Sequence, residues 1–150
     1  MQSTCKLTKV GSPALADSYM YKSVVGALQY ATFTRLDIAY SVNKVCQFMS
    51  HPLKAHWVVV KRILRYLKGT ISHDIHLLPL PLNITHSIQG FSDVDWASDP
   101  DDKRSTSGAY IYFDPNLISW WSKKQLVISR SSTELEELTT ASSMCNYYLL

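Results

Sequence analysis

Cysteine is scarce in this 150-residue chain: Cys5, Cys46 and Cys145 are odd in number, far apart and without a CxxC pair. That pattern supports neither a disulfide framework nor a zinc knuckle, and it fits a reducing compartment. Five glycines, widely scattered, make no phosphate-cradling loop. No serine stands in a nucleophile-elbow motif. Lys or Arg interrupts every long apolar run, and no charged segment followed by an apolar one opens the chain. The expectation is a soluble intracellular protein, cytoplasmic or nuclear, neither secreted nor membrane-spanning.

What is present is enough apolar material, 46% of residues, for one sizeable core or two small ones. The formal net charge of +3 hides an asymmetry. Residues 1 to 75 carry ten Lys/Arg against Asp17, Asp37 and Asp74, whereas residues 76 to 150 carry five against nine acids. The first half suits a polyanion and the second suits a cation.

Residues 1 to 18 mix Ser, Thr, Gly and Pro without periodicity and read as a lead-in. Three helical patterns follow. Tyr21, Val24, Val25, Leu28 and Ala31 recur at helical spacing, with Asp17 or Ser18 as cap. A second helix is expected from Thr34, whose hydroxyl accepts from the Asp37 amide, with Ile38, Val42, Val45 and Met49 on one stripe and an end before Pro52. The third, about Lys54 to Lys68, sets Trp57, Val60, Leu64 and Leu67 on an apolar stripe, and Gly69 is its expected stop. Lys54, Lys61, Arg65 and Lys68 fall on another face, with Arg62 beside them. That face has two readings, a solvated surface or a track for phosphates.

After Thr70 the pattern changes to short β-type runs: His73 to Leu78, Asn83 to Asp93, Ser107 to Phe113, Asn116 to Ser122, and Gln125 to Ile128. A final helix is expected from about Ser131. The boundary falls between Gly69 and His73, dividing a helical part, residues 1–72, from a strand-rich part, residues 73–150.

Two acidic clusters stand out. Asp93 and Asp95, two apart on a strand, point to one face. Asp99, Asp101 and Asp102 read as a solvated loop, since strand ends collect Asp for turn hydrogen bonds. Glu134, Glu136 and Glu137 open the last helix, where the macrodipole favours negative charge whether or not a metal is held. The histidines, His51, His56, His73 and His76 among them, read as surface or half-buried residues, not as ligands. Tyr110, Tyr112, Trp120 and Trp121 read as core or sheet surface.

Resemblance extends these readings. Tyr21-Lys-Ser-Val-Val-Gly-Ala-Leu-Gln-Tyr30, Thr34-Arg-Leu-Asp-Ile-Ala-Tyr40 and Lys61-Arg-Ile-Leu-Arg-Tyr-Leu-Lys-Gly-Thr70 resemble the end of the reverse transcriptase region in copia-type LTR retrotransposon Pol polyproteins. Phe91-Ser-Asp-Val-Asp-Trp-Ala97, Lys103-Arg-Ser-Thr-Ser-Gly108, Ile118-Ser-Trp120, Ser122-Lys-Lys-Gln125 and Ser129-Arg-Ser-Ser-Thr-Glu134 resemble the ribonuclease H region that follows it.

The resemblance implies an α/β chain, α+β overall: a helical thumb- or connection-like segment, then an incomplete ribonuclease H-like mixed sheet from about residue 85, with a C-terminal helix. Asp93 matches the family's strand aspartate and Glu136 its helix glutamate, which leaves Glu134 as a cap. In that family these carboxylates bind two magnesium ions and the RNA strand of an RNA–DNA hybrid is cut. The third carboxylate lies on a later strand, and this sequence ends at Leu150 before one, so the two-metal site is expected to be incomplete. Glu137, Leu36 and Trp121 depart from the family pattern, and no Tyr-x-Asp-Asp polymerase motif is present.

Two functions are therefore expected. One is magnesium-dependent cleavage by Asp93 and Glu136, with the basic helix face steering the hybrid. The other is a catalytically inactive remnant that binds nucleic acid without sequence preference. The remainder of a Pol polyprotein is the further expected partner, and no membrane is.

Overall fold

The computed structural model describes residues 7–81, 85–95, 99 and 101–126. They form two compact units, one reaching to Asp74 and including Asp99–Asp102, the other made of Ile75–Ser98 and the chain from Lys103. Both helical and strand-rich parts are present, so the class is mixed α/β.

In the first unit, helix α1 spans Ser18–Ala31. Asp17 caps it, its carboxylate accepting the Met20 amide at 2.8 Å. Tyr21, Val25 and Leu28 are its buried residues, on the stripe the periodicity indicates. The next segment departs from expectation. The Thr34 hydroxyl donates back to the Ala31 carbonyl at 3.4 Å, because the end of α1 lies within its reach. A short 3-10 turn, Leu36–Ile38, precedes α2, which spans only Ala39–Cys46. Ile38, Val42 and Val45 still face the core, and Met49 packs against it from beyond the helix.

Helix α3 spans Lys54–Gly69. Its inward face is His56, Val60 and Ile63, whereas Leu64, expected on the apolar stripe, is 39% exposed. Gly69 ends the helix without left-handed backbone. The stop comes from Thr70, whose amide donates to Leu67 and whose hydroxyl donates to the Tyr66 carbonyl at 2.9 Å. Tyr21, Val25, Leu28, Ile38, Val42, Val45, Val60 and Ile63 make one buried cluster. Each buried aliphatic side chain contributes about 1.5–3 kcal/mol to holding it together.

The second unit is a three-stranded antiparallel sheet in the order β1-β2-β3: Ile88–Asp95, Thr106–Phe113 and Asn116–Lys124. A mixed sheet is expected from the resemblance, yet every pairing among the described residues is antiparallel. His73 to Leu78 is not a strand. Pro79 and Pro81 remove amide donors just beyond it, and the Asn116 side chain takes the place of a ladder neighbour. Its Oδ1 accepts from the Leu78 amide at 2.6 Å and its Nδ2 donates to the Leu78 carbonyl at 2.9 Å.

The turn after β2 places Asp114 at φ 50°, a conformation Asp tolerates. Its carboxylate accepts from the Ser87 amide at 2.8 Å and pairs with His86 Nδ1 at 2.6 Å, fixing where β1 starts. These bonds hold the Asp114 carboxyl below the usual carboxylate range. The helix expected from Ser131, and Val127 and Ile128 of the run expected at Gln125 to Ile128, lie outside the described residues. No helix among the described residues is long and apolar enough to cross a membrane.

Candidate functional site

Asp93 stands near the end of β1, whose residues are almost all exposed. Strand pleating places Phe91, Asp93 and Asp95 on one face, together with Tyr110, Gly108 and Thr106 of β2 and Trp120, Ser122 and Lys124 of β3. Directly opposite Asp93 is Gly108. A residue without a side chain at that position leaves the Asp93 carboxylate uncovered on its inner flank. One carboxylate oxygen accepts the Val94 amide at 2.8 Å.

The donor chemistry fits a hard cation, which takes carboxylate oxygens. Glu136, the other expected metal ligand, and its neighbours Glu134 and Glu137 lie outside the described residues. Among the described residues, no three His, Cys, Asp or Glu side chains gather as a metal site. Asp99, expected in a solvated loop, is instead buried at 6% exposure. It accepts from the amides of Asp101 and Asp102, so its role is to shape the turn.

The basic residues named from the sequence all lie on α3, and Lys54, Lys61, Arg62, Arg65 and Lys68 are all exposed. From Lys54 to Lys68 they extend about 21 Å along the axis at the α-helical rise. Val58 and Leu64, also exposed, line a shallow groove with Lys61 and Arg65. The helix holds no acidic residue. Lys61–Arg65, Arg62–Arg65 and Arg65–Lys68 are therefore like-charge neighbours at helical spacing, each costing roughly 0.2–0.5 kcal/mol. The macrodipole favours Lys68 in the last turn but disfavours Lys54 in the first. Helix stability alone accounts for one of these cations and opposes the arrangement of the rest.

His56 corrects an expectation. It is completely buried, where surface or half-buried placement was expected. Its ring stacks on Phe48 with centroids 3.9 Å apart, and both ring nitrogens are hydrogen-bonded. The sequence offered one signal: His56 is the third residue of α3, where a side chain can reach back to the residue before the helix.

No family model matches the chain, and no solved structure matches it. Among curated proteins it is 44% identical to the retrovirus-related Pol polyprotein from transposon RE2 of Arabidopsis thaliana, over 95% of this chain and 10% of that protein. It is 46% identical to the corresponding polyprotein from transposon RE1 of the same plant, over 92% of this chain and 9% of that protein. A third relative is the secreted RxLR effector protein 161 of Plasmopara viticola, 41% identical over 77% of this chain and 80% of its own length. The chain thus spans about a tenth of the length of the transposon polyproteins it matches. With more than nine-tenths of its residues aligned to them at this identity, the chain belongs to the family of copia-type retrotransposon Pol polyproteins.

Proposed function

We propose that the strand-rich unit is a ribonuclease H-like part of such a polyprotein, acting in magnesium-dependent cleavage of RNA paired to DNA. The observation that carries this reading is the uncovered Asp93 carboxylate on β1, opposite Gly108 in an antiparallel three-stranded sheet. Asp93 and Glu136 would hold magnesium, which supplies charge stabilisation to a reacting phosphodiester. Asp95, on the same face, adds negative potential toward the cation.

The exposed cations of α3 would neutralise phosphates of the hybrid and steer its approach. The remainder of a Pol polyprotein is the natural partner, since the transposon relatives are about ten times longer than the aligned segment.

The test is cleavage of a labelled RNA–DNA hybrid by the purified chain with magnesium, beside Asp93→Asn. Loss of a metal ligand removes several kcal/mol of stabilisation, so the substitution should lower the rate by about three orders of magnitude. Equal rates in both proteins would refute the assignment of Asp93.

The acid-free basic face of α3 favours a second reading, a remnant that binds nucleic acid without cutting it. Salt-sensitive binding by a folded chain that cleaves nothing, with Asp93→Asn indistinguishable from the parent, would select it.

A further inference from the structure

Residues 8–15, which carry no periodicity, run across the first turn of α3 as a strap. The Pro13 carbonyl accepts the Lys54 amide at 3.0 Å, and Ser12 Oγ accepts the Ala55 amide at 3.3 Å. The Leu15 amide donates to the Pro52 carbonyl at 2.9 Å, and Ala14 forms an antiparallel bridge with Leu53. The strap thus supplies partners to amides that a helix start leaves without any inside the helix.

His56 joins the strap to the helix. The Leu53 amide donates to Nδ1 at 3.0 Å, so Nδ1 carries no proton. The ring hydrogen is therefore on Nε2, which donates to the Thr8 carbonyl at 3.0 Å. The neutral ring uses both nitrogens, one holding the helix start and the other the strap. A second proton would sit on Nδ1 and face the Leu53 N–H, donor against donor. It would also put a positive charge in a buried position at the positive end of the α3 dipole.

Burial, the main influence, lowers the His56 pKa, opposed by its bond to Thr8 and by the Asp101 carboxylate. Asp101 is itself engaged, accepting the Lys9 amide at 3.0 Å. On α3 the charged residue closest in sequence is Lys54, which is exposed, and the residue stacked on the ring from beyond α2 is the uncharged Phe48.

We propose that residues 8–15 form an acid-opened latch: neutral His56 closes the strap over the start of α3, and protonated His56 releases it while the helical core stays folded. The buried cluster itself lies outside the strap, and of residues 8–15 Leu15 packs against it, partly buried, so opening removes that contact and leaves the cluster's own members in place. Because the histidine is held neutral when closed, the latch is at full strength above the free imidazole value of 6.5 and weakens as pH falls below it.

Hydrogen exchange on the full chain, corrected for intrinsic rates, tests this between pH 7.5 and the pH at which nitrogen shifts show the His56 ring protonated. Amides of the strap and of residues 53–55 should lose at least about tenfold in protection, with amides around Val25 unchanged. His56→Gln keeps a side chain able to reach the Leu53 amide but has no proton to gain, so its strap should hold at both pH values. Equal loss in the variant, or simultaneous loss in strap and core, would overturn the latch. Should that variant not fold, the wild-type ring decides: protonation with the strap intact refutes the proposal, and protonation and opening at one midpoint support it.

Discussion

Arg35 grips Asp37 side-on, Nε to Oδ1 at 3.0 Å and Nη2 to Oδ2 at 2.8 Å, and with the same guanidinium it ends a helix 35 residues away. Nη1 donates to the Thr70 carbonyl at 2.8 Å and Nη2 to the Thr70 hydroxyl at 2.7 Å, with the Tyr66 ring 5.8 Å from the guanidinium carbon. The fork geometry matters as much as the charge, since only a planar guanidinium satisfies carboxylate and carbonyl together.

The Arg35 clamp makes a pH prediction. Its hydrogen bond lowers the Asp37 pKa to about 2 from 3.8, with burial opposing. A carboxyl depressed in the folded state stabilises above its unfolded value, and that contribution is lost as pH falls from about 4 toward 2. Acid titration of the helical unit by circular dichroism should therefore be shallower in Asp37→Asn. Arg35→Lys should lower the melting temperature despite keeping the charge, and an unchanged melt would show that the fork is dispensable.

Tyr21 is fully buried, and its hydroxyl donates to the Val45 carbonyl at 2.8 Å, tying α1 to α2. Burial raises its pKa, so the phenol stays protonated. Tyr21→Phe keeps the ring but removes this bond, leaving the Val45 carbonyl with the Phe48 amide at 3.2 Å as its partner, and should cost about 0.5–1.5 kcal/mol in denaturant titration. A loss under a few tenths would mean that another donor replaces the phenol.

Charge reversal on α3 should weaken nucleic-acid binding without regard to base sequence. For Lys61→Glu with Arg65→Glu, the slope of log K against log salt should become shallower by about 0.9 for each duplex phosphate contact removed. An unaltered slope would return this face to solvated surface.

Asn116 is buried at the start of β3 and bonds both backbone groups of Leu78. Asn116→Ala should cost about 1–3 kcal/mol and raise exchange at the Leu78 amide. Asn116→Asp keeps the acceptor but loses the donor, so it should hold the amide while releasing the carbonyl.

Local patterns determined much of this chain. The α1 stripe, the Asp17 cap, the existence of α3 with its five cations, the hairpin strands and the shared face of Asp93 and Asp95 all follow from spacing, because helix and strand periods are properties of the backbone. The family, too, was legible in short motifs. The rotation of α3 was not: Leu64 fits the apolar period as well as Ile63 does, and His56 turns inward only because Thr8 and Leu53 meet its two nitrogens. Tertiary structure likewise decided that Arg35 reaches Thr70, that Asn116 stands in for a strand beside Leu78, and that Gly108 lies opposite Asp93. Each joins residues far apart in sequence, and hydrogen-bond partners at that separation are chosen by the packing of whole elements, which no local period encodes.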